Sequence, residues 1–172
     1  MNTEHQILIN RAKELAGKKI ARSENDNLIQ IIEFRLNEEL YGLEIDFVHE
    51  VHSLRNITLI PGTPSYVRGV INIRGQIISV IDLKVFFELG YDEISDKSKV
   101  IILQSEDMEF AILADQIIGT KLITLADTLD YLPTLSGVRA DFLKGVTSVG
   151  IAVLDGRKIL TDQNLIIDEK VD

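Results

Sequence analysis

The chain has 172 residues, of which 45% are hydrophobic and 26% charged, with a formal net charge of −9 and no cysteine. Such a composition supports a buried core in one domain, or in two small subdomains sharing a boundary, and it excludes disulfides, thiolate catalysis and thiolate metal sites. It also sets the chain against nucleic acid and anionic membrane as partners, because both call for clustered Lys and Arg.

The opening stretch "MNTEHQILINRAKELAGKK" carries charges throughout and has no signal-peptide apolar region. No later apolar run reaches the length of a membrane span, so a soluble cytoplasmic protein is expected. The first 20 residues predict a helix. Thr3 and Gln6 form a capping-box pattern, and Leu8, Ala12, Leu15 and Ala16 share one face. Gly17 stops the helix, and Lys18 and Lys19 suit its C-terminus. Polar Ala21 to Asn27 reads as a linker, so residues 1–26 form an extension and its linker. Two readings of that extension stand: a helix packed weakly on the body, or a docking helix for another protein.

From Leu28 the apolar period becomes two. Ile32, Phe34 and Leu36 alternate with Glu33 and Arg35; after the turn Asn37 to Glu39, the pattern resumes at Tyr41, Leu43 and Ile45. This is a hairpin with one buried side. Further strands are expected at 57–60, 68–73, 76–82, 99–104, 109–114, 117–124, 142–147 and 150–154, punctuated by Gly and Pro. Short helices are expected at Leu83 to Gly90 and Gly156 to Leu160. A mostly β domain of short strands points to a barrel or a sandwich.

An internal repeat sharpens this reading. "IIEFRLNEELYGLEIDFVHEV" resembles "VIILQSEDMEFAILADQIIGT", and "GQIISVIDL" resembles "VGIAVLDGR". The offset in both cases is about 70 residues. Units of that size seldom bury enough surface alone, so the two are expected to share an apolar interface, with 27–92 as one and 93–172 as the other.

Catalytic chemistry finds little support. In "VHEVH", His49 and His52 would point to opposite sides of a strand, and the zincin pattern needs two residues between its Glu and second His where this sequence has one. No glycine-rich loop opens a helix to receive phosphate. Ser79 lies inside an apolar strand, without the strand-to-helix turn that exposes a nucleophile, and reads as a core hydroxyl. Asp82 and Asp155 each end a strand before a turn, where a carboxylate caps backbone N–H groups. No catalytic residue, metal or cofactor is expected. Arg74 lacks so simple a role. It stands at a strand end, with Glu50 as its best partner, either as a surface ion pair or as part of a functional surface. "PGTP" from Pro61 sets a rigid turn, and Gly69 and Gly75 permit bends or close backbone approach.

Together, "LYGLEIDFVHEV", "LIPGTPSYVRGVINIRGQIISVIDL" and "FAILADQI" resemble the CheW family of chemotaxis adaptors, in that family's order and spacing, over residues 28 to 162. The resemblance implies two packed five-stranded SH3-like β-barrels, here with an N-terminal helical extension, and no catalytic activity. It implies coupling of the cytoplasmic tips of methyl-accepting chemoreceptors to the regulatory domain of a CheA-type histidine kinase, in the cytoplasm at membrane receptor arrays. The receptor groove carried over by motif comprises Val48, Glu50, Arg74, Val100, Ile101 and Thr120, of which polar Thr120 departs from an apolar family position. Kinase contact falls on "YLPTLSG", at Leu132 and Leu135, the latter replacing an aromatic. Ser79 and Lys84 also depart, standing where many members have proline and arginine. A variant adaptor is implied, and the same residues admit a stand-alone CheW-like binding or inhibitory module of a non-motility pathway without direct kinase coupling.

Overall fold

A computed structural model describes residues 28–129 and 138–166. The helix expected over the first 20 residues lies outside them.

The first hairpin forms as its alternation requires, with β1 (Leu28–Leu36) antiparallel to β2 (Glu39–Glu44). Asn37 turns it at φ 55°, a left-handed conformation that asparagine tolerates better than most residues. A 3₁₀ turn, Ile45–Phe47, leads to β3 (Val48–Ser53). The stretch 57–60 is not a strand: only Thr58 pairs, in a single bridge to Val70, and β3 is the extended element of this region. Next come β4 (Val67–Ile73), β5 (Gln76–Ile81) and the short helix α1 (Leu83–Phe86). Arg74 and Gly75 turn the β4–β5 hairpin with φ 53° and 86°, the paired positive values of a type I′ turn.

The second half repeats the plan. It runs through β6 (Lys99–Gln104), β7 (Glu109–Ala114), β8 (Gln116–Thr124), a 3₁₀ turn, α2 (Val138–Asp141), β9 (Leu143–Val146), β10 (Ile151–Leu154) and α3 (Gly156–Thr161). Asp82 and Asp155 cap α1 and α3 by accepting hydrogen bonds from the Lys84 and Lys158 backbone N–H groups, the role their strand-end positions predict.

The strands form two five-stranded sheets, ordered β8-β1-β2-β10-β9 and β3-β6-β7-β5-β4. Raising or lowering each strand number by five converts one order into the other, so the sequence repeat is a structural repeat. Its units nevertheless exchange their first hairpins. The β1–β2 hairpin joins β8–β10, through parallel β2–β10 pairing, and β6–β7 joins β3–β5, through parallel β5–β7 pairing. A division at residues 92/93 therefore does not separate the sheets. Closed barrels are also not what forms. Each sheet keeps two edges, β3 and β4 in one and β8 and β9 in the other. An isolated bridge draws the edges of each together, Thr58 to Val70 and Leu129 to Val146. At the first bridge Gly69 is required: a Cβ there would lie 2.2 Å from the Thr58 carbonyl oxygen.

Three apolar clusters hold the body together. The largest lies where the sheets meet and joins Phe34, Tyr41, Leu43, Ile81, Ile101, Leu103, Phe110 and Leu154. This is the shared interface that two small units need. Each sheet also has its own cluster, built on Ile71, Ile78, Val80, Val100 and Ile102 in one and Ile31, Ile123, Ile151 and Val153 in the other.

Candidate functional site

Edge strand β3 carries a bulge between Val48 and Glu50, and the bulge separates their side chains. Val48 stands opposite Leu103 and packs, half-buried, against the inter-sheet cluster. Glu50 and His52 stand opposite Ile102 and Val100, on the side of the sheet's own cluster. Arg74, at the tip of the β4–β5 hairpin, reaches across the open edge to Glu50, with Nη1 3.4 Å from Oε2. His52 Nε2 lies 2.9 Å from the same oxygen but lacks the alignment of a hydrogen bond. The His52 ring and the Arg74 guanidinium hold the Glu50 carboxyl below the usual carboxylate range. A cleft of about 560 Å³ opens beside the pair, between β3 and β4, lined among others by His52, Arg55, Ile71, Asn72 and Arg74.

Two residues carried over by resemblance do not reach any surface. Val100 and Ile101 are both 0% exposed. Strand β6 lies between β3 and β7, so one of its sides faces the sheet's own cluster and the other the inter-sheet cluster. They are core residues, not walls of an open trough. Thr120 is exposed on β8, opposite Ile32 of the inter-sheet cluster and on the other sheet from Glu50 and Arg74. Leu132 and Leu135 lie outside the described residues.

The apolar surface that sequence reasoning missed lies around Thr120. Leu122, opposite Gln30, continues the same side of the sheet outward, as does Leu28 on β1. Leu122 is 65% exposed, Ile118 45% and Leu28 41%. On the other sheet Val51, opposite Ile101, continues the inter-sheet side of β3 and is 38% exposed. The sequence "QIIGTKLIT" shows apolar residues on both sides of β8, which leaves open which side is covered.

A second feature also escaped the sequence. Lys84 is 1% exposed, and its Nζ lies 2.6 Å from Asp115 Oδ1 and 3.6 Å from Asp92 Oδ2. Arg68, 8% exposed, donates to the Asp92 carbonyl at 3.0 Å and stacks over the Tyr91 ring at 4.1 Å. Beside them Asp82 Oδ2 lies 3.8 Å from Arg68 Nε with no hydrogen bond of its own. Burial raises the Asp82 carboxyl above its ordinary range, against the pull of Lys84 and Arg68. This network ties β4, α1, the loop at Tyr91–Asp92 and the start of β8 together, and it places no nucleophile beside a base. Among the described residues no group of three His, Cys, Asp or Glu side chains could hold a metal ion, and no helix is long and apolar enough to cross a membrane.

The comparisons with known proteins agree with this architecture. The family model described as "CheW-like domain" matches residues 30–164. Chemotaxis protein CheW of Treponema pallidum is 29% identical over 158 residues, covering 88% of this chain and 93% of that protein. Chemotaxis protein CheW of Thermotoga maritima is 33% identical over 141 residues, covering 81% and 88%. The crystal structure of the scaffolding protein TtCheW from Thermoanaerobacter tengcongensis superposes with a TM-score of 0.66 at 34% identity, over 74% of this chain and 84% of that one. The chain belongs to the CheW family, whose members are adaptors and scaffolds of chemosensory signalling rather than enzymes.

Proposed function

We propose that this adaptor couples the cytoplasmic tip of a methyl-accepting chemoreceptor to the regulatory domain of a CheA-type histidine kinase, and is recruited from the cytoplasm to membrane receptor arrays. The observation that carries the reading is the exposed apolar strip formed by Leu28 and Leu122 beside Thr120, at the margin of the inter-sheet core, with Ile118 exposed at the bulge that follows on β8. An amphipathic receptor helix buries its apolar side on such a strip. Val48 and Val51 extend the same inter-sheet side on β3, and the Glu50–Arg74 pair supplies charge at the neighbouring edge. The segment holding Leu132 and Leu135 is the proposed kinase contact. Calorimetry with a receptor-tip fragment tests the reading: Leu122→Asp puts a charge on the strip and is expected to abolish measurable binding. Unchanged affinity in that folded variant would remove the strip from the receptor site. A pull-down with the kinase regulatory domain separates coupling from a stand-alone binding or inhibitory module, since only the coupler retains the kinase.

A further inference from the structure

We propose that Asp115 is a positioning residue that fixes the angle between the two sheets, by clasping them together at one end of their shared interface. Asp115 is the single residue between β7 of one sheet and β8 of the other. Its backbone N–H donates to the Arg35 carbonyl at 3.0 Å, which holds it on β1. Its carboxylate then divides between the sheets. Oδ2 accepts the Asn37 backbone N–H at 2.7 Å, at the β1–β2 turn, and Oδ1 accepts from the Lys84 ammonium at 2.6 Å, on α1. Asn37 closes the ring, since its Nδ2 donates to the Leu89 carbonyl just after α1 at 3.2 Å. Among the described residues, Lys84–Asp115 is the one ion pair that joins elements belonging to different sheets.

The internal repeat shows what the clasp adds. It carries Asp115 onto Asp46, as it carries Phe110 onto Tyr41, and Lys84 onto Arg157, as it carries Asp82 onto Asp155. Asp46 and Arg157 are both exposed, and among the described residues no ion pair joins them. At that end the contact is apolar: the Phe47 ring packs on Gly156, where a Cβ would lie 2.5 Å from it. The remaining side-chain hydrogen bond between the sheets' elements, from the Tyr66 hydroxyl to the Asn164 carbonyl, is single and exposed. Apolar contact has no preferred direction, whereas charge-assisted hydrogen bonds fix distance and angle. One end of the interface is thus held in a set geometry and the other only packed. Leu122 and Val51 lie on the inter-sheet sides of different sheets, so a partner that touches both depends on the angle Asp115 sets. That consequence rests on the receptor reading; the clasp itself does not.

The chain has no cysteine, so two introduced thiols take up nitroxide labels alone. Leu122→Cys with Ile77→Cys spans the two sheets, and Leu122→Cys with Val149→Cys stays within one; all three positions are well exposed. Asp115→Asn keeps an acceptor for Asn37 but gives up the charge that holds Lys84. In the full chain it is expected to widen the distance distribution between sheets at least 1.5-fold, measured by double electron–electron resonance, and to leave the distribution within the sheet unchanged. Lys84→Arg keeps the cation and is expected to keep both distributions narrow. An unchanged distribution between sheets in Asp115→Asn would overturn the proposal, and so would equal widening of both pairs, which is general loosening. If Asp115→Asn does not fold, Asn37→Gly takes its place: glycine accepts the turn's positive φ and keeps the N–H to Asp115, but loses the tie to Leu89. A smaller widening between sheets is then expected, and none would overturn the proposal. Titration of Asp115→Asn with the receptor-tip fragment separates the two readings. A loss of affinity of at least threefold supports a partner surface set by the angle, whereas widening with unchanged affinity leaves the clasp standing and overturns a receptor site that spans both sheets.

Discussion

Arg74 Nη1 lies 3.4 Å from Glu50 Oε2, joining the β4–β5 hairpin to strand β3 across an edge that no backbone ladder closes. The Arg74 side chain is 76% exposed, which decides what the pair can be worth. An exposed pair gains little against water and the entropy of a long side chain. Arg74→Ala is therefore expected to leave the denaturation midpoint almost unchanged, and to act on partner binding instead. Chemical denaturation of Arg74→Ala, Glu50→Ala and the double variant measures their coupling, expected to be small but non-zero. A large stability loss in Arg74→Ala would make the residue structural and any signalling defect secondary.

Two carboxylates are expected to shape the acid side of the stability profile with opposite signs. Glu50, held low by His52 and Arg74, favours the folded state above the ordinary carboxylate range, and that contribution disappears as pH falls through its depressed pKa. Asp82, raised by burial, loses its proton later in the folded state than in the unfolded one. Stability therefore falls as pH rises from the ordinary carboxylate range through its raised pKa. Asp82→Asn keeps a side chain able to cap α1 and is expected to remove that downward slope. Denaturation at a series of pH values from 3 to 7 measures both, and an Asp82→Asn profile parallel to wild type would show that the burial of this carboxyl has no effect on folding.

Lys84 is expected to matter to the fold despite its charge. Removing the buried ammonium takes away the cation at Asp115, which keeps only the Asn37 backbone N–H, and leaves Arg68 as the cation beside Asp82. Breaking a buried pair costs roughly 3–5 kcal/mol, and here the lower end applies because Asp115 is 28% exposed. Urea denaturation of Lys84→Ala is the measurement; a loss in the range of ordinary surface substitutions would mean that water replaces the ammonium at no cost.

Val100 and Leu122 are expected to behave oppositely although both are apolar strand residues. Val100→Asp buries a charge within an apolar cluster, and a loss beyond about 4 kcal/mol is expected, enough to unfold much of the protein. Leu122→Asp changes an exposed position and is expected to shift the thermal midpoint only slightly. Thermal melts of the two variants, followed by circular dichroism, check the contrast.

The sequence alone determined the elements whose signals are local. The alternation from Ile32 to Leu43 set the first hairpin, Asp82 and Asp155 marked two capped helices, Gly69 marked a close backbone approach, and the repeat announced two similar units with a shared interface. Only the tertiary structure decided which hairpin joins which sheet, because the exchange of β1–β2 and β6–β7 rests on parallel pairing between distant strands that leaves no local pattern. It decided that Val100 and Ile101 are core while Leu122 is surface. A period of two separates the sides of a strand, but whether a side is covered depends on whether the strand is central, as β6 is, or an edge, as β8 is. It also decided that Lys84 is buried: its charge argued for solvent, and the carboxylates of Asp92 and Asp115 that hold it inside come from loops elsewhere in the chain.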